Sequence, residues 1–190
     1  MLNILESFDI KSLKHNSPSY VLLLNEVMKY AYADRSQYLG DPDYVDVPIN
    51  KLISKDYAEN ISKKITIDSV TKSDDIKAGM YIDLESDETT HFSIADKFGN
   101  LVSTTYTLNS SFGSKVVIAK TGILMNNEMD DFSSAPGVPN QFGLLGEKFN
   151  EIQPSKRPLS SMTPTIVFKN NSPFLIMGSP GGSRIITAVL

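Results

Sequence analysis

The spacing of apolar residues changes once along this chain, near residue 90, and that change constrains the fold more than any other feature. From residue 17 to residue 65 the apolar residues recur at the spacing of helices. Beyond residue 90 they alternate with polar residues, as in strands with one buried face. Helices followed by strands predict a layered α+β fold, because each kind of element must bury its apolar face against another.

Two helices are predicted in the first part of the chain. Ser17 and Pro18 suit a helix cap and a first helical position. Apolar residues recur behind them at helical spacing: Val21, Leu24, Met28 and Ala31. The glycine and proline of residues 39–43 end this helix. A second helix follows Ser54, and its apolar face consists of Tyr57, Ile61 and Ile65. We expect residues 66–88, which are polar and poorly periodic, to form an exposed connection.

Two hairpins are predicted in the second part. Residues 91–96 alternate, residues 97–100 form a turn, and residues 101–108 run back, rich in Val, Thr and Tyr. Residues 165–168 and 174–177 form a second strand pair across a five-residue turn. The apolar residues that end the chain continue as a helix or a strand.

Composition excludes several classes of function. A net charge of -4 offers no basic surface for nucleic acid or anionic lipid. The absence of cysteine and the presence of only two histidines, His15 and His91, argue against a disulfide framework and a metal site. No stretch approaches the roughly 20 apolar residues of a membrane span, and the first residues lack the features of a signal peptide. We therefore predict neither a metal nor a cofactor.

Thr89 stands where an acidic loop meets a strand, and this position is suited to chemistry. A cut before Thr89 leaves a threonine whose free α-amine can act as the base for its own hydroxyl. The amine suits this role because its reference pKa is about 7.7–8.0. The ordinary alternative is a simple strand start.

Other segments each allow a structural and a functional interpretation. Residues 178–183, Gly-Ser-Pro-Gly-Gly-Ser, form either a tight turn or a set of backbone N–H donors for an oxyanion or a phosphate. The hydroxyls and backbone donors of residues 157–162 suit either a carboxylate or a polar turn. The acidic groups of residues 126–131 form either a cation site or a solvated loop. None of these segments decides the function alone.

The order of the motifs along the chain resembles that of the gamma-glutamyltransferases (glutathione hydrolases), and the resemblance covers essentially all 190 residues. The motifs are Ala33-Asp34-Arg35-Ser36, Tyr38-Leu39-Gly40-Asp41-Pro42-Asp43, Thr89-Thr90-His91-Phe92-Ser93, Thr105-Tyr106-Thr107-Leu108-Asn109, Met129-Asp130-Asp131-Phe132-Ser133, Lys156-Arg157-Pro158-Leu159-Ser160-Ser161-Met162 and Gly178-Ser179-Pro180-Gly181-Gly182-Ser183-Arg184. The resemblance implies the four-layer αββα sandwich of the N-terminal nucleophile hydrolases, here incomplete at both ends. It also implies self-cleavage between Glu88 and Thr89. Residues 1–88 are then the end of a large subunit, and residues 89–190 the start of a small catalytic subunit.

The same resemblance assigns roles to individual residues. Thr89 corresponds to the nucleophile, and Thr107 to the hydroxyl that supports it. The remaining positions correspond to the α-amino subsite (Asn109, Glu128 and Asp131), the α-carboxylate subsite (Ser160 and Ser161) and the oxyanion hole (Gly181 and Gly182). These residue types fit a γ-glutamyl group, whose ammonium and carboxylate lie on one carbon and require acidic groups and donors close together.

The implied reaction passes through a γ-glutamyl ester on Thr89, which water, an amino acid or a dipeptide resolves, with glutathione as the expected donor. The resemblance also implies a periplasmic or extracellular location. The family's carboxylate-binding arginine and its further segments have no counterpart here, so we expect the isolated chain to be slow or inactive. The alternatives are a related acylase, a poly-γ-glutamate depolymerase, an inert truncated fragment, and a phosphate-binding module built on residues 178–183.

Overall fold

The computed structural model describes residues 1–76, 89–135 and 137–190. The helices are α1 (Leu2–Leu5), α2 (Pro18–Tyr38), α3 (Ile49–Leu52), α4 (Lys55–Ser62) and α5 (Ile185–Val189), and the strands are β1 (Thr89–Ala95), β2 (Leu101–Thr107), β3 (Thr165–Lys169) and β4 (Ser172–Met177). The described residues form two compact units. Of the described residues, the first unit contains 1–76, 133–135, 137–139 and 144–157, and the second contains 89–132, 140–143 and 158–190. This grouping reflects packing. The predicted division at residue 88 concerns a peptide bond and stays a prediction.

The starts of α2 and α4 are those that the sequence predicts, whereas the short helices α1 and α3 were not predicted. The Ser17 hydroxyl accepts a hydrogen bond of 3.2 Å from the backbone N–H of Tyr20, and Pro18 occupies the first helical position of α2. Ser54 caps α4 in the same way, with an acceptor distance of 3.2 Å to the N–H of Tyr57. Both caps satisfy a backbone donor that a helix start otherwise leaves without a partner.

The core of the first unit lies between α1, α2 and α4. Its buried residues are Ile4, Leu5, Leu23, Val27, Ala58, Ile61 and Ile65. The predicted face of α4 is confirmed for Tyr57 and Ile61, while Ile65 is buried beyond the end of the helix. On α2 the buried face differs from the predicted one. Leu23 is 1% exposed, whereas the predicted core residue Val21 is 48% exposed. These two residues lie about 200° apart around the helix, and α1, which periodicity did not reveal, packs against the Leu23 side.

An ion pair within the first unit holds together two segments that are distant in sequence. The backbone N–H and the Nε of Arg157 each donate to Asp41 Oδ2 at 2.9 Å, and the Arg157 guanidinium also contacts Asp43. The Asp41 side chain is buried. The hydrogen bonds from Arg157 lower the pKa of Asp41 well below its usual range, and the pKa of Arg157 is raised in turn.

The first hairpin of the second unit confirms its prediction. Strands β1 and β2 pair antiparallel, from Thr89 opposite Thr107 to Ala95 opposite Leu101. In the turn between them, the Asp96 carboxylate accepts hydrogen bonds from the N–H groups of Phe98 and Asn100 at 2.8 and 2.9 Å. These bonds shape the turn and fix the register of the pair.

The second hairpin has a shorter turn than predicted. Asn170 and Asn171 both have positive φ angles, 51° and 63°, so these two residues complete the turn and β4 begins at Ser172. Asparagine adopts such angles more readily than most residues. Pro173 lies inside β4, and the register shifts between Val167 and Phe168 opposite it, because proline has no N–H to donate.

The two hairpins contact each other within the second unit. The Ser103 hydroxyl on β2 donates to the carbonyl of Met177 at the end of β4, at 3.0 Å. Both hairpins also expose aromatic side chains, among them Phe92 and Phe174. The end of the chain forms helix α5, one of the two predicted outcomes. No helix in residues 1–76, 89–135 or 137–190 has both the length and the apolar character needed to cross a membrane.

Candidate active site

The register of β1 and β2 brings the predicted nucleophile opposite its predicted hydroxyl partner. Thr89 is the first residue of β1 and pairs with Thr107, the last residue of β2. Residues directly opposite in an antiparallel pair have side chains on one face, with Cα atoms about 4.5–5.5 Å apart. Both threonines are half-buried. Glu88 and the predicted cleavage bond lie outside the described residues.

Thr107 is bonded to the next predicted site residue. Its hydroxyl accepts a hydrogen bond of 2.9 Å from the backbone N–H of Asn109. Asn109 is 5% exposed and has a φ angle of 74°, a conformation that asparagine tolerates. Its side-chain amide donates to the carbonyl of Asn127 at 3.2 Å. The chain therefore turns sharply after β2, and Asn109 faces the segment that carries Glu128.

Asn127 holds this arrangement together, although sequence reasoning gave it no role. Its side-chain oxygen accepts from the N–H of Ser110 at 2.9 Å, and its side-chain nitrogen donates to the Ser110 hydroxyl at 3.1 Å. Its own N–H donates to the carbonyl of Leu108 at 3.1 Å. Its position beside Glu128 could have indicated this role, but the segment was interpreted only through its acidic residues.

The acidic residues of the predicted α-amino subsite, Glu128 and Asp131, lie in a single 3-10 turn, Glu128–Asp131. The N–H of Glu128 donates to the side-chain oxygen of Asn126 at 3.0 Å. Among the residues that the structure describes, the half-buried Glu128 carboxylate has no hydrogen-bond or ion-pair partner. Asp130 accepts from the N–H of Gln141 at 3.0 Å, so one acidic group of this turn is already engaged by the backbone. The turn concentrates negative charge next to Asn109, as an ammonium ligand requires.

Ser160 and Ser161 lie in the extended segment that leads to β3. The Ser160 hydroxyl accepts a hydrogen bond of 3.1 Å from the N–H of Met162 and is exposed, whereas Ser161 is half-buried. Within the described part of the chain, no hydrogen bond links Ser160 to Asn109 or Glu128. Their assignment to the substrate carboxylate stays a prediction.

The glycine-rich segment follows β4 directly. Gly181 and Gly182 have positive φ angles of 123° and 52°, which glycine adopts without steric cost. The carbonyl of Gly181 accepts from the N–H of Arg184 at 3.0 Å, which starts the turn into α5. Consecutive backbone N–H groups in a turn can bind an anion, and the assignment of Gly181 and Gly182 to the oxyanion hole stays a prediction.

His91 connects this segment to the strand of the predicted nucleophile, and sequence reasoning assigned it no role. Its Nδ1 is hydrogen-bonded to Thr105 Oγ1 at 2.7 Å and its Nε2 to Ser93 Oγ at 3.0 Å. Its ring fills the space beside Gly178, where an added Cβ would lie 2.1 Å from a ring atom. The available signal was its place two residues after Thr89, because alternate residues of a strand share a face.

Comparisons with known proteins find one family along the whole chain. The model of one family, described as gamma-glutamyltranspeptidase, matches residues 1–190. The chain is 53% identical over 190 residues to a glutathione hydrolase proenzyme of Escherichia coli K12, covering all of this chain and 33% of that protein. It therefore spans about a third of the length of the curated relatives it matches.

Solved structures show the same relationship. A gamma-glutamyltranspeptidase mutant from Helicobacter pylori is similar with a TM-score of 0.51 and 63% identity, over 52% of this chain and 53% of that chain. A cephalosporin acylase from Bacillus halodurans is similar with a TM-score of 0.69 and 26% identity, over 93% of this chain and 29% of that chain. The α+β arrangement is thus part of the sandwich fold of the N-terminal nucleophile hydrolases, as the sequence predicted.

Proposed function

Because this chain belongs to the gamma-glutamyltranspeptidase family, we propose that it carries the catalytic segment for γ-glutamyl transfer and hydrolysis, with glutathione as the donor. The observation that supports this most directly is the series of contacts from Thr89 to Thr107, and from Thr107 to Asn109. It aligns a nucleophile, a supporting hydroxyl and a substrate-binding amide along the end of one hairpin.

The reaction begins at the γ-carbonyl carbon of the donor. Thr89 Oγ1 adds to this carbon while the α-amine of Thr89 takes the hydroxyl proton. The N–H groups of Gly181 and Gly182 stabilise the resulting oxyanion. When this intermediate collapses, the carbon–nitrogen bond breaks and the leaving amine takes the proton. For glutathione the released amine is cysteinylglycine, and a γ-glutamyl ester remains on Thr89.

The second half of the reaction releases the γ-glutamyl group. Water, or the amine of an amino acid or a dipeptide, adds to the ester carbonyl and gives a proton to the Thr89 amine. The Thr89 oxygen then leaves and recovers its proton. The products are glutamate or a new γ-glutamyl amide. Glu128 and Asp131 bind the substrate ammonium, and Ser160 and Ser161 bind its carboxylate.

The free amine of Thr89 requires a cut before this residue. We infer self-cleavage between Glu88 and Thr89, which leaves residues 1–88 at the end of a large subunit and residues 89–190 at the start of a small one. The further segments of both subunits are the expected protein partners. The place of action that we propose is the periplasm or the exterior of the cell, where a secreted enzyme meets glutathione.

A second candidate function is acylase activity on a glutaryl side chain, which the similarity to cephalosporin acylase favours. A glutaryl group lacks the α-ammonium, so it gives the acidic turn Glu128–Asp131 nothing to bind. The Glu128 carboxylate, half-buried and unpaired within the described residues, therefore favours a γ-glutamyl donor. Turnover of a glutaryl amide at a rate equal to that of the γ-glutamyl amide would favour the acylase instead.

The experiment has a mass readout and a rate readout. The purified chain of 21.0 kDa is incubated at neutral pH and its intact mass is measured under denaturing conditions. In parallel, the chain replaces the matching third of the Escherichia coli proenzyme, and turnover of a γ-glutamyl anilide is measured. We expect products that meet at Glu88 and Thr89, and turnover that Thr89→Ala abolishes.

Thr90→Ala is the matched control, because Thr90 is the next residue of β1 and lies on the other face of the strand. It should retain cleavage and turnover. Cleavage in the replaced proenzyme but not in the isolated chain would show that the chemistry is present and needs the further segments. An uncut and inactive protein in both forms would refute the proposed function.

A further inference from the structure

The His91 ring is fixed on the strand of Thr89 by hydrogen bonds to two residues of the same hairpin. His91 follows Thr89 by two positions on β1, so both side chains lie on the same face. Thr105, its partner across the strand pair, bonds one ring nitrogen, and Ser93 bonds the other. With both nitrogens engaged, the ring has one well-defined orientation.

The fixed ring packs directly against Gly178, the first residue of the glycine-rich segment. A Cβ added at Gly178 would lie 2.1 Å from Cε1, 2.3 Å from Nδ1 and 2.7 Å from Nε2 of His91. Such distances do not occur between non-bonded atoms, so Gly178 is required because the ring leaves no room for a side chain. Gly181 is required for a different reason, because its φ is 123° while nothing lies within 4 Å of its added Cβ.

A second contact holds the preceding residue. The Ser103 hydroxyl on β2 donates to the carbonyl of Met177 at 3.0 Å. Two consecutive residues, Met177 and Gly178, are therefore held against the β1–β2 hairpin. Only Ser179 and Pro180 separate this fixed point from Gly181, the first of the two predicted oxyanion glycines.

We propose that His91 is a positioning residue: its ring seats Gly178 against the strand of Thr89, so that the N–H groups of Gly181 and Gly182 meet the carbonyl that Thr89 attacks. This inference rests on the proposed function, which assigns those N–H groups to the oxyanion. One oxyanion donor typically accounts for about 10²–10³ in kcat, and a misplacement of about 1 Å can cost 10²-fold. A contact remote from the reacting atoms can therefore control the rate.

The first test is a double-mutant cycle between His91→Ala and Gly178→Ala, made in the form of the protein that turns over a γ-glutamyl anilide. Each substitution alone should lower kcat at least ~10-fold and change KM less than ~3-fold, because the residues that bind the substrate are untouched. In the double variant, the new methyl group occupies the space that the ring vacates. Its kcat should therefore fall no further than that of His91→Ala alone.

Gly40→Ala is the matched control for an overcrowded glycine. Its added Cβ would lie 2.2 Å from the carbonyl oxygen of Phe149. Gly40 and Phe149 both belong to the first unit, whereas His91 and Gly178 belong to the second. In the double variant with His91→Ala, the fall in kcat should equal the product of the two single effects, with no relief. If the effects of Gly178→Ala and His91→Ala also multiply, the contact does not position the loop, and the proposal is overturned.

The second test does not depend on turnover, so it separates this inference from the proposed function. The chain contains eleven glycines, and isotopic labelling of glycine nitrogen alone yields a resolvable set of amide signals. His91→Ala should shift the signals of Gly178, Gly181 and Gly182 and leave those of Gly40 and Gly146 in place. A shift confined to Gly178, or one that spreads to all glycines, would overturn the proposal. If the unsubstituted protein has no turnover, the proposed function fails, while these signals still report on the contact between His91 and Gly178.

Discussion

Replacing Thr107 by valine tests the junction between the nucleophile and the substrate pocket. Valine matches threonine in shape and suits a strand, so the change removes the hydroxyl and creates no cavity. The N–H of Asn109, a residue only 5% exposed, then loses its acceptor. A buried donor left without a partner costs about 1–3 kcal/mol. In a chain of this length that cost lowers the melting temperature by about 2–12 °C.

The catalytic effect of Thr107→Val should exceed what the loss of stability explains. At a temperature where the variant is fully folded, we expect kcat for a γ-glutamyl anilide to fall at least ~10-fold, because a loss of about 1.4 kcal/mol of transition-state stabilisation suffices for that. Thermal unfolding followed by circular dichroism gives the first quantity, and steady-state kinetics the second.

Two controls make the test specific. Thr107→Ser keeps the hydroxyl and should retain most of the activity. Thr104→Val makes the same exchange on β2 opposite Phe92, on the other face of the hairpin, and should change stability by no more than about 0.5 kcal/mol. If Thr104→Val and Thr107→Val behave alike, the hydroxyl of Thr107 has no special role and the reasoning fails.

Three further predictions concern the core, the ion pair and the pocket loop. Leu23→Ala should destabilise the chain by about 2–5 kcal/mol and Val21→Ala by less than about 1 kcal/mol, and equal urea midpoints would contradict the assignment of the buried face. Because Arg157 lowers the pKa of Asp41, that carboxylate adds stability that is present above its unfolded pKa of about 3.9 and is lost as the pH falls below it. Between pH 7 and pH 3 the melting temperature of Asp41→Asn should therefore fall less than that of the unsubstituted chain. An equal fall in both proteins would count against the ion pair. Asn127→Ala removes both side-chain hydrogen bonds to Ser110 and frees the loop that carries Glu128, so KM for the γ-glutamyl donor should rise at least ~10-fold. The melting temperature should also fall, because the N–H of Ser110 loses its acceptor, and an unchanged KM would remove Asn127 from the pocket.

Features that depend on neighbouring residues were predictable from the sequence. Ser17 and Ser54 cap their helices because a cap needs only a side-chain oxygen and the next turn of backbone. The first hairpin was predictable because alternation and a polar turn are both local signals. The family was also recognisable, because the order of the motifs can be read from the sequence without knowledge of any contact. The family match over residues 1–190 confirms it.

Features that depend on a distant partner were not predictable. The buried face of α2 falls on Leu23 rather than Val21 because α1 and α4 pack there, and periodicity alone does not locate a neighbour. The second turn has two residues rather than the predicted five, because Asn170 and Asn171 both adopt a left-handed conformation. Asparagine permits this conformation but does not require it.

The site divides in the same way. The sequence by itself determined which residue types are available for the chemistry: a threonine behind an acidic loop, an acidic turn, paired serines and paired glycines. Only the tertiary structure decided that Thr89 lies opposite Thr107, that Asn127 joins the two pocket loops, and that His91 leaves no room at Gly178. The reason is physical, because strand register and side-chain packing are set by contacts between residues far apart in the chain, and such contacts exist only after the chain has folded.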